Sequence, residues 1–444
     1  MSALAIMDAP MRPAPSRRSR PAAASLRYHA DAVLWALALM HVTYVWRLPS
    51  LVPALQPLHL GILSGVLALG LFLLDRSSRR HLHDLPMRPV WFAVGLLAFM
   101  VLSVPTGLNP GHSARFVIQN VIPRLLLVVM IGASMRCVAD IEWFAWVNML
   151  AAAGYCVYVL VMFPVDETGR LGDLVYYDTN DLGLLLVSTF PMVVYFLTRG
   201  QPRVRRLFAA LCAPLFLLML VETGSRGGFI GFVVVGAYVA LSYRGFSRGK
   251  RLAVVATAIV AFALIGGARN FARIETIFNP TADYNWSGRS PTGRFEIWKR
   301  GLGYVADHPV LGVGANNFDR AEGTLSEIGQ ELQSRGRSFA WSVAHNSYLE
   351  TAAEAGIVAL VMFLGLFASV LQLLRRVIRA TTPMSFLPRE LVLAQTLTAS
   401  LIGFLVCAFF ISAEYFVYPY VLLGLSIGLA KTTLSRRRAL TRVQ

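Results

Sequence analysis

The chain has 444 residues, 56% of them hydrophobic and only 15% charged, with a mean hydropathy of +0.58. A soluble domain carries roughly 25% charged residues, so the composition excludes an ordinary soluble enzyme and indicates an integral membrane protein. The net charge of +17 is no nucleic-acid signal, because the basic residues fall in short blocks between apolar runs, as membrane topology demands.

Residues 1–28 are rich in Pro, Ala, Ser and Arg. They contain no apolar core followed by a cleavage site, and are expected to form a disordered cytoplasmic tail. Apolar runs then occur near 30–47, 54–74, 89–104, 116–133, 141–163, 180–197, 206–221, 227–243, 251–267, 346–373, 390–412 and 416–431. A bilayer-crossing helix needs about 17–25 residues, so the reading is an all-α membrane protein of about twelve transmembrane helices. Nine of them occupy 29–267 and three occupy 346–431, with a basic tail at 432–444. Residues 268–345 form the one long hydrophilic loop.

Orientation follows from the arginines and lysines. With the N-terminus inside, the inner segments hold 27 basic residues, whereas the short outer loops hold four: Arg47, Arg115, Arg170 and Arg226. This asymmetry puts both termini in the cytoplasm and the long loop outside. Within that loop, Thr292–Tyr304 has apolar residues at helical spacing and predicts a short amphipathic helix. His308–Phe318 is a glycine-rich turn, and Arg320–Arg337 is expected to be mobile or a small helix. The four cysteines share no metal-like spacing and are expected to be free thiols, and no His-Glu-x-x-His or Cys/His cluster is present, so neither metal nor cofactor is called for.

The chemistry is expected at the outer border. The loop ends in Trp341-Ser-Val-Ala-His345-Asn346-Ser-Tyr348-Leu-Glu350, followed by Glu354. Ionisable groups where a loop enters a membrane are a functional hypothesis by default. Arg170, Arg226 and Arg294 lie on the same face, where topology does not call for basic residues. Guanidinium forks there suit a diphosphate. Plainer readings stay open for each: Arg226 anchoring a turn, Arg294 touching lipid phosphate, Arg170 paired with Asp166, Glu167 or Asp173. Likewise His345 can be an interfacial helix residue, Asn346 a helix cap, and Glu350 and Glu354 partners of neighbouring spans.

Taken in order, several segments resemble the O-antigen ligase and O-antigen polymerase family of bacterial envelope glycosyltransferases. They are Asp178-Thr-Asn180-Asp181-Leu-Gly183, Thr223-Gly-Ser-Arg226-Gly-Gly, Gly293-Arg294-x-x-x-Trp298, Gly312-x-Gly314-x-x-x-Phe318 and His345-Asn346-x-Tyr348-Leu349-Glu350-x-x-x-Glu354-x-Gly356. The resemblance covers about 140–370; before that it is hydropathy alone. It implies an inner-membrane enzyme with a periplasmic site, moving a glycan from undecaprenyl diphosphate to an acceptor hydroxyl without metal. Arg226 and Arg294 would hold the diphosphate and His345 would be the general base. Arg170, Asn180, Asn346, Tyr348 and Glu350 would contact substrate. The acceptor would be lipid A–core in a ligase, the reading slightly preferred, or a growing glycan in a polymerase of O-antigen or exopolysaccharide. A non-catalytic lipid or solute transporter is the alternative of another class.

Overall fold

The computed structural model describes residues 30–46, 51–75, 82–163, 171, 174, 177–198, 200–279, 281, 283–337, 342–382 and 388–441. The expected tail at 1–28, Arg170 and Trp341 lie outside the described residues. Among the described residues the structure is almost wholly helical, as the apolar runs predict. Its helices are α1 (Ala32–Trp46), α2 (Leu60–Leu74), α3 (Met87–Thr106), α4 (Pro110–Phe116), α5 (Ile122–Ser134), α6 (Val138–Met162), α7 (Thr179–Phe196), α8 (Arg203–Thr223), α9 (Arg226–Ser242), α10 (Arg248–Phe278), α11 (Arg294–Asp307), α12 (Phe318–Thr324), α13 (Glu327–Ser334), α14 (Ser347–Thr381), α15 (Arg389–Ala408) and α16 (Val417–Thr441).

Ten spans among the described residues are long and apolar enough to cross a bilayer, with α4 and α5 joined through one π-helical turn into a single span of 25 residues. The expected count of twelve is not reached by this measure. The two shortfalls are α1, with 15 residues, and α9, with 17. At 1.5 Å per residue, α9 is about 25 Å long, short of the ~30 Å hydrocarbon core. It begins abruptly at the Gly224–Ser225 turn and is flanked by α7, α10 and α15, so much of its surface meets protein. The protein is a multi-pass membrane protein by these helices.

Burial separates centre from rim. The apolar windows of α7 and α16 are each 89% buried and that of α15 is 78%, against 11% for α2 and α10. Polar groups pin the centre together: His41 Nε2 meets Asn148 Oδ1 at 2.6 Å, and Asn148 donates to the Tyr418 hydroxyl at 3.2 Å, tying α1, α6 and α16. In the hydrophilic segment, α11 matches the amphipathic helix read at 292–304, and 320–337 forms most of α12 together with α13. Ile297, Tyr304, Val313, Phe318 and Ala321 make a small separate core there with Ala344 and Ala353. Arg300 locks it by a charged pair with buried Glu322, which also accepts from the Tyr304 hydroxyl at 2.9 Å.

One break organises this layer. Helix α14 is interrupted at Gly356, whose φ of 88° and ψ of 169° are not helical. The break takes Ala353 O and Glu354 O out of the helical ladder. The glycine-rich turn supplies the missing partners: Val313 N donates to Ala353 O at 2.8 Å and Gly314 N to Glu354 O at 2.9 Å, while Ile357 N donates to Pro309 O at 2.8 Å. These three backbone groups at the break thereby find partners in the turn. The approach admits no side chain, since a Cβ on Gly356 would lie 2.0 Å from Val310 O and one on Gly312 would lie 2.4 Å from Ala353 O. Gly312 and Gly314, with φ of 64° and 99°, serve this junction.

The candidate active site at one end of the bundle

His345 closes the hydrophilic segment one residue before the cap of α14. Its backbone is left-handed, with φ of 49°, an arrangement uncommon outside glycine although His tolerates it better than most. Two contacts impose it: His345 N donates to Ser412 Oγ at 2.9 Å, and Ala344 O accepts from Trp298 Nε1 at 2.8 Å. The ring itself makes no hydrogen bond among the described residues. Burial lowers the imidazole pKa from its ordinary value to about 4, with the nearby Arg294 charge pushing the same way and Asp178 opposing. The ring is therefore neutral near pH 7, with a lone pair available to take a proton.

Arg294 is the first residue of α11 and Trp298 lies one turn on, so one rigid helix face holds both the cation and the clamp on Ala344. The Arg294 guanidinium donates to Phe410 O at 2.9 Å. Arg226 begins α9, where Ser225 caps the helix by accepting from Gly228 N at 3.1 Å. Its guanidinium pairs with Asp283 and donates to Thr276 Oγ1 at 2.9 Å. Next to it, Gly227 packs so closely on Phe410 that a Cβ would come within 2.9 Å of that residue's Cβ.

The common neighbour of all three is the α15–α16 turn, residues 409–416. Phe410 meets Gly227 and Arg294, Ile411 O accepts from Ser347 N at 2.9 Å and from Ser347 Oγ at 2.7 Å, and Ser412 meets His345. Ser412 also donates to Glu350, and Tyr415 donates to Glu354 at 2.7 Å. Glu354 further accepts from Phe318 N at 3.2 Å. Burial, aided by the Glu354 charge, raises the Glu414 carboxyl to about 8. Sequence reasoning passed over Phe410, Ser412, Glu414 and Tyr415; the one available signal was Glu414, an acidic residue at the end of an apolar run.

The other sequence-derived residues divide. Asn346 caps α14, accepting from Tyr348 N at 3.0 Å and Leu349 N at 3.1 Å. The Tyr348 hydroxyl donates to Leu405 O, and Glu350 is buried behind Ser412. Asn180 sits in the first turn of α7, its amide donating to the capping carboxylate of Asp178 at 3.2 Å. The α7 start adjoins the α8–α9 turn, where a Cβ on Gly183 would approach Ser225 Cβ to 3.2 Å. Among the described residues, no three His, Cys, Asp or Glu side chains gather in a way that could hold a metal ion.

Residues 211–364 match the family model described as O-Antigen ligase. An uncharacterized protein of Haemophilus influenzae is 21% identical over 216 residues, which is 46% of this chain and 53% of that protein. The chain thus spans about half the length of the curated relative it matches. The matched family region contains Arg226, Arg294 and His345, whereas Asn180 and the 409–416 turn fall outside it.

Proposed function

We propose, from the premise that this chain is a member of the O-antigen ligase family, that it is a membrane glycosyltransferase. It moves a glycan from undecaprenyl diphosphate to an acceptor hydroxyl at the outer, periplasmic face of the inner membrane. The observation that carries this reading is the imidazole of His345, held neutral and without a hydrogen bond among the described residues, set beside the Arg294 guanidinium where the hydrophilic layer meets the bundle. A proton acceptor next to a cation is what displacement of a diphosphate requires.

The acceptor oxygen attacks the anomeric carbon while the bond from that carbon to the diphosphate oxygen breaks, the bonding pair leaving with the diphosphate. His345 takes the acceptor's proton. Arg294 and Arg226 hold the diphosphate and relieve the negative charge that builds on it, a gain realised chiefly in the transition state. Asn180, Asn346, Tyr348 and Glu350 surround or support this centre, and Arg170 remains a proposed donor contact. Glu350 acts through Ser412 on the His345 backbone, and Asn346 through the helix cap. The charges gather at one end of the bundle and not midway along it, which favours catalysis over transport.

The ligase form, with lipid A–core as acceptor, is the preferred one. Purified protein given undecaprenyl-diphosphate-linked glycan with lipid A–core should yield the glycosylated core. Longer lipid-linked chains, made without core, would instead identify a polymerase of O-antigen or exopolysaccharide. In the active assay, His345→Ala should lower turnover about a hundredfold or more, the usual worth of a general base, and Arg294→Ala should abolish transfer, while both proteins still insert. Undiminished turnover by His345→Ala would remove the base from the mechanism.

A further inference from the structure

We propose that the stretch from Asp283 to Glu296 is a sugar-binding platform, on which Tyr284 and Phe295 stack against a pyranose ring and Glu296 accepts from its hydroxyls. The ring is the one joined to the donor's diphosphate. The assignment deepens the donor reading above and rests on it, adding three residues that the sequence did not single out.

The platform lies on the piece of chain that joins the two arginines of the site. At its start Asp283 pairs with Arg226, and near its end Arg294 opens α11. This piece doubles back on itself: Phe295 N donates to Asn285 O at 2.8 Å, and a Cβ on Gly293 would lie 2.6 Å from Tyr284 O. Tyr284 and Phe295 therefore project from adjoining backbone, and they are 67% and 50% exposed. Exposed large rings grouped among polar residues mark a binding surface. A sugar attached to a diphosphate held by Arg226 and Arg294 comes out against the chain that connects them.

Two kinds of group that a sugar needs meet at Gly288. This glycine has φ of 68°, and a Cβ built on it would lie 3.7 Å from Glu296 Oε1 and 3.7 Å from Phe295 Cδ1. A carboxylate and an aromatic ring thus flank a turn that no side chain covers. A pyranose presents C–H groups on its faces and hydroxyls around its edge. The electron-rich face of an aromatic ring attracts the first, and a carboxylate accepts strongly from the second. The rim is hydroxylic too: Ser290 Oγ and Thr292 Oγ1 are 3.1 Å apart, and Ser287 Oγ accepts from Arg289 N at 3.4 Å. Such a rim suits a sugar and is wasted on hydrocarbon. Behind it, Trp286 packs edge-on against Trp298 with ring centroids 5.0 Å apart, and Trp298 donates to Ala344 O beside His345. The platform is braced on the residue that also fixes the base.

The test uses the full chain in nanodiscs of phosphatidylethanolamine and phosphatidylglycerol. Two probes are titrated separately: undecaprenyl-diphosphate-linked glycan and bare undecaprenyl diphosphate. The unaltered chain should bind the glycan-bearing probe more tightly. Phe295→Ala and Tyr284→Ala should each weaken that probe about three- to tenfold, the worth of one aromatic contact, and leave the bare lipid unaffected. Misfolding would weaken both probes, and Phe295→Tyr should restore the preference. Glu296→Ala should likewise reduce only the glycan-bearing affinity. Equal losses for both probes, with Phe295→Tyr as weak as Phe295→Ala, overturn the assignment. Unaltered affinities in all three alanine variants, with the unaltered chain binding and transferring normally, overturn this assignment alone. A raised KM for acceptor at unaltered donor affinity also overturns it, giving the platform to the acceptor. An unaltered chain that neither binds either probe nor transfers glycan overturns the donor reading itself.

Discussion

Burial and the Arg294 charge hold the His345 imidazole at about 4, so the free protein has a weak but unprotonated base. A diphosphate set against Arg294 cancels part of that positive field, and the imidazole pKa then rises toward its ordinary ~6.5. The base must be unprotonated to act, so activity falls as pH drops through its pKa. The acid limb of kcat/KM, which reports the free enzyme, should lie near 4, and that of kcat, which reports the donor complex, at a higher pH. Coincident limbs would show that donor charge does not reach the histidine. At this scale the sequence exposed His345, Arg226 and Arg294 through their position at the outer border. It did not expose Asp283 or Ser412, because a partner brought up from a distant segment leaves no local pattern.

Helix α14 shows what an apolar pattern conceals. Residues 346–373 read as one continuous apolar run, and a glycine inside a helical pattern is ordinarily tolerated at about 1 kcal/mol. The break at Gly356 comes from outside the run, from the 309–314 turn that supplies hydrogen bonds to Ala353 O and Glu354 O. That turn, with its Gly312-x-Gly314 spacing, looks on its own like a fragment of a nucleotide loop; its use is to accept the broken helix. Gly356→Ala would force both a positive φ and a clash with Val310 O. It should cost about 2 kcal/mol or more, read as a lowered unfolding midpoint in detergent and reduced accumulation in membranes. A variant as stable as the parent would show that the turn can retreat without penalty. Helix α10 likewise runs to Phe278, past the point near 268 where hydropathy ends the span, because the amphipathic residues beyond it continue the same helix.

At the scale of the whole molecule, the sequence revealed twelve apolar runs and a strong bias in basic residues, and the structure sorts them into two ends. One end gathers the hydrophilic layer, the α8–α9 turn and the 409–416 turn. The other carries Arg136 paired with Asp31 and Asp140, and Arg389 near Glu142. Cys137 is exposed at that second end, whereas Cys156, Cys212 and Cys407 are buried. A membrane-impermeant maleimide should therefore label the protein in inverted membrane vesicles and leave it unlabelled in intact spheroplasts. Labelling in spheroplasts would reverse the orientation drawn from the positive charges. Helix count was the less legible quantity, since α1 and α9 are apolar but short, and neighbours, not length, shield α9.

The broken helix has a kinetic corollary. Nine residues of α14 precede Gly356, so at 1.5 Å each the base stands about 13 Å beyond the break. With the base at the point where the loop enters the span beginning at Ser347, a lipid-linked donor of the kind proposed would reach it by travelling in two dimensions. Rate should then follow the mole fraction of donor in the bilayer and not its amount per litre. Adding inert phospholipid at fixed total donor should slow transfer in proportion, and an unchanged rate would mean that donor arrives from the aqueous side.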